Sequence, residues 1–331
     1  MQRGLNNMKK RGFGYGCIFY GTGYGNGFPD ISRSIAELDT KGHINIYVGA
    51  TEVGQGAKTI LGQIAAEALD VPVEIVTLIH EDTSITPDAG TAAASRQTYN
   101  TGNAVKISAE ELKKEIIVVA KGLLNEDHLE ISNGVIRSNT SDKTLTLKDI
   151  AEASGGGFLR KDGIFQANTT EMDPETGQGN PYWPYTINAY AVEVEVDTTT
   201  GIVDIIRAAC SQDVGRAINP SLVEGQIDGG FAMGLGYAIF EDINLDKGRI
   251  KHNRFTNYLI PTALDMPEIE KIIVEDPEST GPFGAKGIGE PVMIAAAPAI
   301  LNAIYDAVGV RLTEIPVTPE KLLKALKKRE G

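Results

Sequence analysis

Apolar and polar positions alternate along residues 32–39 and again along 43–48, with Thr40-Lys41-Gly42 between them. That pattern predicts a hairpin. The period then changes. Ala57, Ile60, Leu61, Ile64, Ala65 and Ala68 recur at helical spacing behind Gly54-Gln55-Gly56, which predicts a strand, a glycine turn and a helix. A further strand is predicted over 73–80. Residues 83–95 are small, polar and unpatterned, and a helix is predicted from about 95 to 124. A short hairpin (128–137) and a short helix (147–153) follow. Residues 154–183, rich in Gly, Asp and Pro, read as a break, dividing the chain into subdomains 1–160 and 161–331.

The second half opens on two alternating runs, 188–197 and 202–210, around the turn 198–201. A helix is predicted next, over 219–241. Asn219 can cap it, Pro220 suits its first turn, and Val223, Ile227, Phe231, Leu235 and Ile239 form an i, i+4 stripe. The same helix carries Gly225, Gly229, Gly230, Gly234 and Gly236. At about 1 kcal/mol per interior glycine, these remove on the order of 5 kcal/mol of helix propensity. Such glycines are expected where another helix or a ligand comes close, and Gln226 lies near their side. Strands are predicted at 249–259 and 268–275, and a last helix at 318–328. The class is mixed α/β (α+β), with sheets and helices in two subdomains.

One stretch, 281–304, runs from a turn containing Lys286, Gly287 and Gly289 into an almost wholly apolar helix. Glu290 stands at the junction. Pro291 fills a first helical position, and the free amides of that turn would make an anion site. The helix dipole favours a glutamate there in any case, so position alone leaves a structural role open beside a catalytic one. Residues 11–28 alternate glycine with aromatics, but a GxGxxG register fails because Gly21 and Gly23 are followed by Asn26. The run is either a glycine-rich strand edge or a pocket wall in which Phe19 and Tyr20 face a flat ligand. A phosphate loop fails as well, since Ala57 separates Gly56 from Lys58. What remains there is a helix N-terminus with glycines flanking Gln55, suited to a polar, anionic ligand.

Charge and composition narrow the classes. A net charge of −13 argues against nucleic-acid partners and anionic membranes. Apolar runs such as 292–301 are shorter than the roughly 20 residues of a membrane span, and the N-terminus lacks the apolar core of a secretory signal. Cys17 and Cys210 cannot build a four-cysteine metal site, and are expected to be reduced packing residues in a cytoplasmic protein. His43, His80, His128 and His252 have no ligand spacing, and no GxSxG occurs. Glu290, a carboxylate whose pKa burial would move, is left as the candidate for acid–base chemistry.

Four motifs occur in order: VGQGAKT (53–59), TAAASRQTYNTGNA (91–104), DVGRAINPSLVEGQIDGGFAMGLG (213–236) and GAKGIGEP (284–291). Together they resemble the molybdenum hydroxylases, the xanthine dehydrogenase and aldehyde oxidoreductase family. The resemblance implies the molybdenum cofactor-binding fold of that family and a molybdopterin cofactor, often its cytosine dinucleotide, with a terminal sulfido or selenido ligand on molybdenum. Carried over residue by residue, Gly54, Gln55, Gly56, Ala94, Ser95, Gln97, Gln226, Lys286, Gly287 and Gly289 become cofactor contacts. The resemblance implies that no protein side chain ligates the metal. Glu290 becomes the base for hydroxylation of an electron-poor carbon with water as the oxygen source, and Phe19 and Tyr20 become weaker substrate-pocket candidates. The family's molybdenum-binding portion is normally longer, and its GGFGGK-type loop is missing from these residues. The resemblance therefore extends to a split subunit, like the medium molybdopterin subunit of bacterial nicotinate dehydrogenase. A second molybdopterin subunit would complete the site, and [2Fe–2S] and FAD subunits would carry electrons. The expected substrate is a small heterocycle such as nicotinate. A purine such as xanthine, an aldehyde, or a non-catalytic assembly role are the alternatives.

Overall fold

A computed structural model describes residues 8–25, 28–155 and 157–330; Asn26 and Gly27 of the glycine–aromatic run and Gly156 of the expected break lie outside the described residues. In chain order the elements are β1 (Lys9–Gly21), β2 (Ile31–Leu38), β3 (Ile44–Val48), α1 (Ala57–Leu69), β4 (Val76–His80), α2 (Gly102–Leu124), β5 (Leu129–Ser132), β6 (Val135–Ser138), β7 (Thr144–Thr146), α3 (Leu147–Ala153) and β8 (Leu159–Gln166). There follow β9 (Tyr185–Asp197), β10 (Val203–Asp213), α4 (Pro220–Leu235), β11 (Leu245–Asp246), β12 (Arg249–Ile250), β13 (Ile269–Val274), α5 (Pro291–Ile294), α6 (Ala296–Val308) and α7 (Pro319–Glu330).

Two four-stranded sheets organise the chain, in the orders β4-β3-β2-β8 and β1-β9-β10-β13. Each mixes antiparallel pairs with one parallel pair, β3 with β4 and β10 with β13. The hairpins predicted at 32–48 and 188–210 are the β2–β3 and β9–β10 pairs. The first sheet packs against α1 and α2 around Leu38, Ile46, Leu61, Leu112 and Ile116. The second packs against α4 and α6 around Tyr190, Val194, Ile227, Phe231 and Ile300.

The sheets do not divide the chain at 160. That boundary falls inside β8, which belongs to the first sheet, while β1 crosses over to become an edge of the second. Hydrogen bonding between distant strands is invisible to local periodicity, so an even cut at the Gly/Pro-rich stretch misses both transfers. The strand expected at 249–259 shrinks to the two residues of β12, paired with β11. Val73–Ile75, expected as strand, forms a tight turn of helix before β4.

The glycine–aromatic run is, over most of its length, a strand edge. Gly12, Gly14 and Gly16 face inward and seat α6 so closely that a Cβ on any of them would strike main-chain atoms of residues 295–307. Phe13, Tyr15 and Cys17 point out to solvent between them. Ala295 keeps right-handed helical angles (φ −78°, ψ −12°), so α5 runs on into α6. Together Pro291–Val308 has a mean hydropathy of 1.5 and is long enough, by length alone, to cross a membrane, contrary to the reading of 292–301. In the fold it is the central helix of the second core, with Ala296, Ala299, Ile300, Ala303 and Ile304 fully buried.

Gly14→Ala tests this packing. The added methyl meets backbone that cannot rotate away, so a loss of about 2 kcal/mol or more is expected in urea unfolding. Wild-type stability would mean that α6 is not held at this distance.

Candidate active site

Three loops meet between α1 of the first core and α4 of the second. The first, residues 51–56, leaves β3 and enters α1. Gly54 and Gly56 turn it through left-handed angles (φ 96° and 83°), which favour glycine. Its amides are already taken by an anion, and the anion is internal. The Glu52 carboxylate accepts the N–H groups of Gly54 (2.8 Å), Gly56 (3.0 Å) and Lys58 (3.0 Å). Burial pushes the Glu52 carboxyl up, but these donors more than offset it and hold the group below the usual carboxylate range. The expected anionic ligand at this helix start is thus largely the protein's own side chain. Gln55 accepts from the Val53 N–H (2.7 Å) and donates to Thr51 O (2.7 Å) and to Gln97 Oε1 (3.1 Å), tying this loop to the second.

The second loop, 89–97, hangs on a buried arginine. Arg96 Nε donates to the Asp30 carboxylate, Nη1 to Ala89 O (2.7 Å), and Nη2 to Ile31 O (2.9 Å) and Ser32 Oγ (2.8 Å). With both charges buried and the guanidinium donors satisfied, the pair anchors the loop without leaving an uncompensated ion. It can then sustain two non-glycine residues in left-handed geometry, Ala94 (φ 58°) and Ser95 (φ 54°). Such backbone costs on the order of 1 kcal/mol or more per residue and persists where the surroundings over-determine it. Here it aims the Ala94 N–H and the Ser95 hydroxyl at one target.

That target is Glu290, on the third loop. Ser95 Oγ donates to Glu290 Oε2 (2.5 Å) and accepts the Glu290 N–H (2.9 Å), while the Ala94 N–H reaches Oε1 (3.0 Å). Tyr20, at the end of β1, donates its hydroxyl to Oε2 (2.5 Å). Burial, followed by the contact with Glu290, pushes the Tyr20 phenol up, so it stays a donor throughout the neutral range. Glu290 makes no side-chain cap to its own helix. The first-turn amides expected to bind an anion are used internally: Val292 donates to Ile288 O (3.5 Å) and Met293 to Glu290 O (2.9 Å). The third loop needs Gly287, where a Cβ would collide with the Ser95 carbonyl.

These loops border a cleft of about 550 Å³. Of the predicted site residues, Gly54, Gln55, Ser95, Gln97, Gln226, Gly287, Gly289 and Glu290 line it. Ala94 and Tyr20 stand behind Glu290, and Gly56 packs toward Leu222. Lys286 is buried elsewhere, its ammonium bound to Asp213 (2.8 Å), and reaches only an adjoining recess of about 60 Å³. Phe19 leaves the site altogether. Strand alternation sends it to the outer face of β1, where it stacks on Tyr185 at 4.5 Å. The glycines of α4 serve both proposed ends: Gly230 and Gly234 receive Val292 and Ala296, whereas Gly229 lines the cleft with nothing within 4 Å of its missing Cβ. Glu52, Asp30 and Arg96 were not singled out from sequence. Arg96 sits inside the TAAASRQ motif and could have been found there, but Asp30 carries no local signal.

A sequence profile of the molybdopterin cofactor-binding domain matches residues 1–267. The chain belongs to this family. It is 33% identical to the xanthine dehydrogenase molybdenum-binding subunit of Escherichia coli O157:H7, over 95% of this chain and 42% of that one. It is 30% identical to the nicotine 6-hydroxylase large subunit of Paenarthrobacter nicotinovorans, over 91% of this chain and 38% of that one. The crystal structure of aldehyde oxidoreductase from Desulfovibrio desulfuricans superposes with a TM-score of 0.81 at 33% identity, covering 97% of this chain and 33% of that one. The chain therefore spans about two fifths of the length of the curated relatives it matches.

The cleft suits the cofactor its family takes. Gly54 and Gly229 leave bare backbone on its wall, with open space where side chains would stand. Three carboxamides, Gln55, Gln97 and Gln226, offer both donors and acceptors to a polar heterocycle. Among the described residues no three His, Cys, Asp or Glu side chains gather as a metal-ligand set.

The contact between the second and third loops can be tested without cofactor. Gly287→Ala drives a methyl into the Ser95 carbonyl, and about 2 kcal/mol of destabilisation is expected in urea unfolding. Ser95→Ala removes only the hydroxyl, and about 1 kcal/mol is expected. Two variants as stable as wild type would show that the loops do not lean on each other.

Proposed function

We propose that this chain carries the base of a molybdenum hydroxylase that acts on an electron-poor carbon of a nitrogen heterocycle. The observation that carries the reading is the Glu290 carboxylate, held at a cofactor-sized cleft by three donors. Oε2 is filled by Tyr20 and Ser95, whereas Oε1 has the single donor Ala94 and keeps acceptor capacity. Oε1 is therefore the atom that takes the proton. Because the donors hold the carboxylate in place, no reorganisation is needed as that proton moves.

When bound, the pterin-carried molybdenum, with a terminal sulfido or selenido ligand, supplies the two-electron acceptor for oxidation with water as the oxygen source. The cofactor is taken as the cytosine dinucleotide form. Gln55, Gln97 and Gln226 would orient it, and Met233 and Met293 give the cleft an apolar side. For nicotinate the net change is replacement of a ring C–H by C–OH, with release of two protons and two electrons. A relative named for nicotine 6-hydroxylation supports an aza-ring substrate, while relatives named for xanthine and aldehydes keep those classes as the alternative. Relatives named as subunits support the existence of partner subunits; the partners proposed are a second molybdopterin-binding polypeptide, with iron–sulfur and FAD subunits taking the electrons. The proposed compartment is the cytoplasm.

The test is Glu290→Gln in the assembled complex, assayed with nicotinate for 6-hydroxynicotinate. A general base contributes roughly 10²–10⁴-fold, so a loss of that size is expected with molybdenum content unchanged. Near-wild-type turnover would leave an assembly subunit as the better reading. Turnover of xanthine or an aldehyde in place of nicotinate would move the substrate class.

A further inference from the structure

Between the end of α4 and β13 the chain leaves the second core. Along this arm, residues 243–264, Ile243 (62%), Ile250 (52%), Phe255 (81%), Leu259 (57%) and Leu264 (98%) stand exposed. A stretch this apolar and this bare is usually either unfolded or an interaction surface. It is not unfolded, because its own hydrogen bonds shape it. The Lys251 N–H donates to Asn244 O (2.9 Å), the Tyr258 hydroxyl to Glu241 Oε2 (2.5 Å), and the Thr262 N–H to Asp265 Oδ2 (2.7 Å). The order is local, and burial contributes little to it.

Charge gives the arm a second character. The chain carries −13 overall, yet no carboxylate falls between Asp246 and Asp265, where Lys247, Arg249, Lys251 and Arg254 cluster. Among the described residues none of these four cations enters an ion pair. The arm is also continuous with the cleft. It follows directly on α4, whose Met233 lines the cleft while 63% exposed, and on Tyr237, 62% exposed one turn further on. A body seated on the arm would thus be joined through α4 to one wall of the cleft.

We infer that the arm is the docking element for the polypeptide equivalent to the part of the relatives' molybdenum-binding chains that this chain does not span. That part is more than half of each relative's length. The inference rests on the function proposed above and adds the surface through which the site is completed. The complementary face is acidic, with apolar pockets for Phe255 and Leu264. The cations steer it and set its register, and the apolar side chains supply the binding energy.

The test uses the full chain, tagged and isolated from its own host, with any co-purifying polypeptide identified by mass spectrometry. Phe255→Asp/Leu264→Asp and Lys251→Glu/Arg254→Glu are compared with wild type. These side chains are exposed, so unchanged melting temperatures are expected to confirm folding. Wild type is expected to retain a polypeptide matching the unspanned part of the relatives. Both variants should bind it roughly tenfold or more weakly. Amides of 243–264 should be protected from hydrogen exchange in the complex. Unchanged affinity in both variants, or protection confined to the outer face of β1, would overturn the docking arm alone. Self-association through the arm, or binding to phosphatidylcholine–phosphatidylglycerol vesicles with no effect on the polypeptide, would overturn it too. If wild type retains no molybdenum-binding polypeptide, the proposed function itself falls.

Discussion

The reciprocal contact between Ser95 and Glu290 is the joint on which this molecule turns. One hydroxyl donates to the carboxylate and accepts the backbone N–H of the same residue. Ser95 belongs to a loop anchored in the first core by the Asp30–Arg96 pair, and Glu290 starts the central helix of the second. These hydrogen bonds, together with those of Tyr99 and Asn103 to Thr280 and of Asn219 to Gln63, tie the two cores together, and the cleft lies beside the joint. Gly287 is the steric condition for this joint, since it brings backbone against Ser95 where no side chain could fit.

The joint also explains why a carboxylate can sit at the start of an apolar helix without serving that helix. Glu290 gives its oxygens to Tyr20, Ala94 and Ser95, which come from β1 and from the first core's loop. These partners lie about 200 or more positions away in the chain, so nothing local to Glu290 could have revealed them. Conversely, α1 meets its dipole with an internal carboxylate, Glu52, rather than with a ligand. In both places a generic expectation about helix N-termini was met or displaced by a specific side chain, and only the fold could say which.

Much of the architecture was legible because it is local. Alternation located β2, β3, β9 and β10, and the i, i+4 stripe located α4 with its Asn219 cap. The ordered glycine–glutamine motifs located most of the cleft lining. What escaped was non-local pairing. The placement of β1 in the second sheet and β8 in the first depends on which strands meet, and of residues 249–259, strand-like in composition, only Arg249–Ile250 pair with a neighbouring strand among the described residues. Tyr20 and Phe19, adjacent in sequence, fall on opposite faces of β1 and so on opposite sides of the question of function. Lys286 is expected as a cofactor contact from its motif, and Asp213, distant in sequence, takes it out of the cleft.

The central claim is that the cleft between the three loops receives a molybdenum-bearing pterin with Glu290 beside the metal. A cryo-electron microscopy structure of the complex purified from its host tests this most directly. The account predicts pterin density bordered by Gln55, Gln97 and Gln226, with molybdenum on the side of Glu290 Oε1. Cofactor density elsewhere on the chain, or a metal out of reach of Glu290, would contradict it.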